Sequence, residues 1–215
     1  MEFSDAEIKK LEEITTLYAT VKKWMLYAEE IHPEKKTFIQ PINEIKNAFD
    51  HLMRIFASKL ELKSADDSYI TINLDKAFAH IYRAAYDLLD YISIYLRKKI
   101  SDEINGISPE ALTTIFPEYY KEIKPYVESK SSEISNLRAN KDIGDPNTDD
   151  LQKYVEIIET IKSLLDKILE IKPSLIDYEV KKKKEVRKSK FLEILIYIAI
   201  AIVSGVIGAI SYAYF

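Results

Sequence analysis

From Ile194 to Phe215 the chain runs 22 residues without a charged side chain. As a helix this segment spans about 33 Å, enough to cross the hydrocarbon core of a bilayer. Tyr197, Tyr212, Tyr214 and Phe215 lie toward its ends, where aromatic rings favour the membrane interface. The alternative is a buried core helix, but runs of this length seldom lack charges in soluble proteins. The expectation is a single transmembrane helix within residues 191–215. Along it Ala201, Ser204, Gly208 and Ser211 recur at spacings of 3, 4 and 3, so they share one stripe. Small residues let membrane helices approach closely. The sharper reading is an oligomeric bundle with Ser204 and Ser211 lining a pore; the plainer one is ordinary membrane-helix composition.

A basic collar precedes the tail. Residues 181–190 (KKKKEVRKSK) hold seven bases and one acid, which leaves residues 1–180 with 24 bases, 33 acids and a net charge of −9. The positive-inside rule keeps such a collar on the cytoplasmic side, and it attracts anionic lipid. The N-terminus (MEFSDAEIKK) has neither a cationic start nor an apolar stretch, so no signal peptide is expected. The chain then divides into a cytoplasmic domain (1–180), the collar (181–190) and the membrane helix (191–215). It would sit in a cell inner membrane, crossing it once.

Composition removes several chemistries. With no Cys there is no disulfide, zinc-thiolate site, thiol catalysis or iron–sulfur cluster. Four Gly argue against phosphate loops and dinucleotide fingerprints. No His-Glu-x-x-His and no nucleophile elbow occur. Glu29 and His32 have the spacing of a carboxylate-bridged di-iron motif, without the second copy that such a site needs. No cofactor and no metal ligand set is expected.

The body reads as all-α. Ser4 and Glu7 form a capping box, and Ile8, Leu11, Ile14, Leu17, Val21, Trp24, Met25 and Ala28 follow at 3–4 spacing. His32-Pro33 ends that helix. A second helix is expected from about Pro41 to Leu62 with Ile42, Ile45, Phe49, Leu52, Phe56 and Leu60 inward. Lys63–Asn73 reads as a connection, with Tyr69–Ile72 extended. A third helix from about Leu74 to Ile100 buries Leu74, Phe78, Ile81, Ala85, Leu88, Ile92 and Leu96. Ser108-Pro109-Glu110 starts the next segment, which Pro117 and Pro125 break or kink on its way to Asn140. Lys141–Asp150 is a loop. A fifth helix from about Asp149 to Ile171 stops at Pro173, and a last one from Ser174 passes through the collar. Residues 118–170, with weaker stripes, read as a coiled-coil arm or as helices that pack only in an oligomer.

Two segments match each other. Ala48-Phe49-Asp50-His51-Leu52-Met53-Arg54 and Ala77-Phe78-Ala79-His80-Ile81-Tyr82-Arg83 share A-F-x-H-[aliphatic]-x-R, 29 residues apart. An antiparallel hairpin would relate the two by an approximate two-fold. His and Arg, three residues apart, share a helix face. Three readings stand: a polar network with Asp50–Arg54 and Arg83–Asp87 pairs, an anion site where two Arg and two His converge on phosphate, and acid–base chemistry by His. Tyr82, Tyr86, Tyr91 and Tyr95 on the same helix are of a type that stacks on bases.

With these helices, the body resembles the HEPN-like helical domains of prokaryotic defence and toxin proteins. Nucleases of that superfamily carry Arg and, four to six residues later, His; no Arg precedes a His at that spacing here, so nuclease activity is not carried over. The layout over the whole chain, with residues 42–96, is also similar to small helical membrane effectors of bacterial anti-phage systems, the Hailong-system effector among them. That resemblance implies a tetrameric channel, held shut by a single-stranded DNA oligomer and encoded beside a nucleotidyltransferase. On chemical grounds His51, Arg54, Lys59, Lys76, His80 and Arg83 would be the phosphate contacts. The expected function is a non-enzymatic, oligomeric membrane effector gated by a nucleotide or oligonucleotide. The alternatives are a tail-anchored helical scaffold and a membrane-tethered nuclease using His51 and His80.

Overall fold

The structure, a computed structural model, describes residues 2–34, 36–142 and 144–214, and the side chains among them except those of 67 and 206–214. The protein is all-α. Its helices are α1 (Asp5–Ile31), α2 (Ile39–Lys59), α3 (Asp67–Ile104), α4 (Pro109–Ile115), α5 (Lys124–Ala139) and α6 (Thr148–Tyr214), with a π-helical turn (Tyr119–Ile123) leading into α5.

The organising element is α3. Its residues Leu74, Phe78, Ile81, Ala85, Leu88, Ile92 and Leu96 are buried as the periodicity predicts, and so are Ala77, Tyr82, Ala84, Tyr86, Leu89 and Ile100. A helix that is apolar on nearly every side needs neighbours on nearly every side. It packs against α1, α2, α5 and α6. Cross-helix contacts give the directions. Lys10 pairs with Asp75 at 3.4 Å and His32 stacks on Tyr91, so α1 runs parallel to α3. His51 meets Asn73 and Glu44 meets Arg83, so α2 runs antiparallel. Arg97 bonds Ser131 and Arg138 bonds Asp90, which makes α5 antiparallel. Tyr82 donates to the Asn147 carbonyl, Tyr154 to Asp90 and Lys172 to Glu103, so α6 climbs parallel to α3.

The helix starts follow local chemistry. Ser4 Oγ accepts from the Glu7 N–H while Glu7 accepts from the Ser4 N–H, closing the capping box. Ser108 caps α4, with Pro109 at its first position. Pro117 lies in the break after α4, and Pro125 sits inside the next helix. There the π-turn, in which the Lys124 N–H bonds the Tyr119 carbonyl, widens the ladder next to the ring.

Four expectations are corrected. Helix three begins at Asp67, capped by Asp66, which accepts from the Tyr69 N–H at 2.8 Å, so Tyr69–Ile72 are helical rather than extended. A good cap outweighs the strand preference of a short aromatic and β-branched run. Pro173 does not stop a helix: it lies within α6 on the solvent side, where water can satisfy the carbonyl its ring leaves unbonded. The segment 118–170 is no separate arm, because Ile134, Leu137, Leu151, Tyr154, Ile158, Ile161, Leu165 and Ile168 bury themselves on this same bundle. Finally, α2 is turned from its expected face. Pro41, Glu44, Ala48 and Ile55 are buried and the expected Ile45 and Leu52 pack half-buried on the core, while Ile42, Phe49 and Leu60 are exposed.

The last element leaves the bundle. Toward that exit Glu179 accepts from the Ser108 N–H at 2.9 Å, and Tyr178 and Lys182 are both bonded to Glu110. From Lys183 to Gly205 every residue is exposed. Among the described residues no helix is long and apolar enough to cross a membrane. The charge-free run has described side chains only as far as Gly205.

Candidate functional site

The repeated motif comes together where α2 crosses α3. The two His rings stack, with centroids 5.4 Å apart and planes 20° from parallel. His51 and His80 are therefore the pair that an approximate two-fold relates. Their Nδ1 atoms are both engaged. Asn73 donates through Nδ2 to the Tyr69 carbonyl at 2.7 Å, which leaves its Oδ1 to accept from His51 Nδ1 at 2.8 Å. His80 Nδ1 meets Glu44 Oε2 at 2.6 Å. Arg83 reaches both oxygens of the same carboxylate, at 3.3 and 3.1 Å.

Glu44 is the residue the sequence reading missed. It is only 5% exposed, and a carboxylate so placed must be paired. Burial pushes its pKa up, but the hydrogen bonds from His80 and Arg83 outweigh that and hold the carboxyl below its usual range. The signal was its spacing. Pro41, Glu44, Ala48, His51 and Ile55 recur at 3–4 intervals along α2, so an acid and a His in that row mark a polar seam facing α3.

The other candidate residues go elsewhere. Arg54 points outward and pairs with Asp50 at 2.6 Å, the expected i,i+4 bridge. The companion Arg83–Asp87 pair does not form, because Glu44 takes Arg83 and Lys141 takes Asp87 at 3.3 Å. Lys59 lies at the far end of α2, bonded to Glu7 at 2.8 Å and set over the Phe3 ring. Lys76 is exposed on the rim of an open cleft of about 620 Å³ between α1, α3 and the loop before α6. The structure thus gathers His51, His80 and Arg83 and disperses Arg54, Lys59 and Lys76. Tyr82 and Tyr86 are 1% exposed and pack on each other, with Tyr86 also against Tyr154 of α6, so they offer no face to a base. Burial raises the pKa of both Tyr86 and Tyr154. Tyr91 packs on Phe38 and stacks on His32.

The geometry limits what the His pair can do. With Nδ1 of each ring already engaged by Asn73 or Glu44, the Nε2 atoms are what the pair has left for a further contact. Among the described residues no group of three or more His, Asp or Glu is placed to hold one. As it stands, Glu44–His80–Arg83 is a charge-assisted tie between two helices, with Glu44 occupying the position a bound anion would take.

In the tail, Ala201 and Ser204 are exposed on the free part of α6. Gly208 and Ser211, the rest of the small-residue stripe, lie outside the residues whose side chains are described. No protein-family model matches the chain, and no curated protein or solved structure matches it significantly.

Proposed function

We propose that the protein acts at a membrane, as an oligomeric effector whose helical body is cytoplasmic and whose α6 enters the bilayer beyond the collar. One observation carries this reading: α6 is a single uninterrupted helix from residues buried in the core, such as Ile168 and Leu175, through the collar to apolar residues exposed on every side. At 100° per residue, Lys181, Lys182, Lys183, Lys184, Arg187, Lys188 and Lys190 are spread round the whole circumference of α6, with no gap wider than about 100°. A helix lying flat on a membrane carries its bases on one face. A collar that encircles the helix suits one that stands upright, with headgroups all round.

The resemblance to anti-phage membrane effectors supplies the biological setting: a tetramer, a neighbouring nucleotidyltransferase and a nucleotide or single-stranded oligonucleotide signal. In this reading the phosphate of the signal competes with Glu44 for His80 and Arg83. Displacing Glu44 loosens α2 from α3, and the shift is passed along α3 to α6. The ligand need only bind one of two arrangements more tightly to move the population.

The test is expression of the full chain in bacteria with a membrane-potential dye. Depolarisation that disappears when residues 191–215 are deleted supports membrane action. Equal toxicity without the tail refutes it. Mass spectrometry of a denatured extract then reports any bound nucleotide, which Arg83→Ala should release.

A further inference from the structure

The rotation of α2 leaves an apolar row on its outside. Ile39, Ile42, Phe49, Met53 and Leu60 are 73%, 39%, 58%, 40% and 55% exposed, and Phe56 is partly buried against Phe3. With Lys46 they form the series 39, 42, 46, 49, 53, 56, 60, a 3–4 repeat unbroken over the whole helix. That is the seam of a coiled coil. It stands beside the face that α2 presents to α3, not on it.

We infer that this seam is a self-association surface, on which α2 of a second copy packs parallel to the first. The bilayer that holds the tail cannot cover it. His51 is level with Asn73, and Asn147 with Tyr82, so counting residues up α6 puts the middle of α2 roughly 75 Å below Phe191. An identical helix fits because a 3–4 seam is complementary to itself: each knob meets holes made by the same residues. The direction rests on the membrane reading above. Two tails entering one bilayer put the two-fold along the bundle, and α2 of both copies then runs the same way. Lys46 is the one polar residue in the seam, and a single polar residue at such a position fixes the register of a parallel pair.

The absence of Cys makes the test direct. Ile42→Cys, Met53→Cys and Leu60→Cys are each made in the full chain and oxidised in the membranes of expressing cells. A parallel seam places every residue opposite its own equivalent, so all three give disulfide-linked dimers, while Ile94→Cys on the exposed side of α3 gives none. An antiparallel pair over the same seam centres beside Phe49 and sets none of the three opposite itself; dimers at only one or two of the three positions overturn the proposal. No dimer at any of the three overturns it as well. In mild detergent, Phe49→Glu should bring the protein component to half its mass with helicity unchanged; an unchanged mass contradicts the seam. Resistance of each variant to carbonate extraction, read in parallel, reports the membrane reading by itself, so failure of the one is distinguishable from failure of the other.

Discussion

The two ends of α6 obey opposite rules within one helix. Between Leu151 and Leu175 it carries a buried row, Leu151, Tyr154, Ile158, Ile161, Leu165, Ile168 and Leu175, with Gln152, Glu156, Glu159 and Glu170 turned to water. Between Phe191 and Val203 it has no such division: Leu192, Ile194, Leu195, Ile196, Tyr197, Ile198, Ile200 and Ile202 point in all directions and are all exposed. A helix with one apolar stripe needs one neighbour, whereas a helix apolar all round needs a surrounding medium. The lower part finds its neighbour in α3. The upper part has none among the described residues, which is why the membrane reading rests on it.

Alanine substitutions break the comparison most sharply. Ile161 is 0% exposed, and Ile161→Ala should lower the stability of the body by about 2–5 kcal/mol, the range for emptying a filled core site. Ile198→Ala, changing the same residue type on the same helix, should move it by less than about 0.5 kcal/mol. Thermal unfolding in detergent, followed by circular dichroism, compares the two. Near-equal losses would mean that the upper segment is packed against protein.

A charge inverts the order. Ile202→Arg should leave the unfolding of the body where it was, yet disfavour membrane insertion by about 2.5–3.5 kcal/mol, the range near the helix centre. The carbonate-resistant fraction of the expressed chain measures this. A tail that stays equally membrane-bound when Ile198→Arg and Ile202→Arg are combined would argue that something other than insertion holds it.

Polar ties make a smaller, pH-dependent contribution. Glu103 of α3 holds the lower part of α6 through Lys172 and pairs also with Lys99 on its own helix, and Glu44 joins α2 to α3. Both carboxyls are held below their usual pKa. For Glu103 the cause is hydrogen bonding from Lys172 and then Lys99. For Glu44 burial pushes upward, and the hydrogen bonds from His80 and Arg83 overcome it. A depressed folded-state pKa gives stability that is present above the unfolded carboxylate value and lost as pH falls through the folded one. Acid should therefore loosen the bundle below about pH 4.5. Glu44→Gln should remove about 1–3 kcal/mol at neutral pH and flatten that part of the acid dependence. An unchanged profile would mean that the carboxylate is not ionised in the folded protein.

These same residues show where the sequence was readable. The apolar rows of α1 and α3 are nearly pure, so their periodicity alone finds the core, from Ile14 and Val21 to Leu88 and Leu96. In α2 the apolar residues cover about half the helix circumference. Periodicity then finds an axis that suits either the core or an outside partner. What decided between them was Glu44, whose burial depends on His80, 36 residues away; no local pattern carries that. Pro173 was misread for a related reason. A proline ends a helix only where the freed carbonyl lacks another partner, and solvent exposure is a tertiary fact. The repeated His–Arg motif correctly paired the two helices, but its symmetry predicted that Arg54 and Arg83 would act alike.

They do not, and that asymmetry gives the smallest effect worth measuring. Arg83 completes a buried carboxylate, while Arg54 bridges Asp50 with both side chains more than half exposed. Exposed i,i+4 pairs contribute about 0.3–0.5 kcal/mol, and salt screens them further. Arg54→Ala should change stability by no more than about 0.5 kcal/mol and less in high salt. Arg83→Ala should remove about 1–3 kcal/mol by leaving Glu44 only His80 and a long hydrogen bond from Gln40. Chemical denaturation of both variants at low and high salt makes the comparison. If Arg54→Ala were as damaging as Arg83→Ala, the two copies of the motif would be playing one role, and an outward contact at Arg54, beside the exposed seam of α2, would have to supply it.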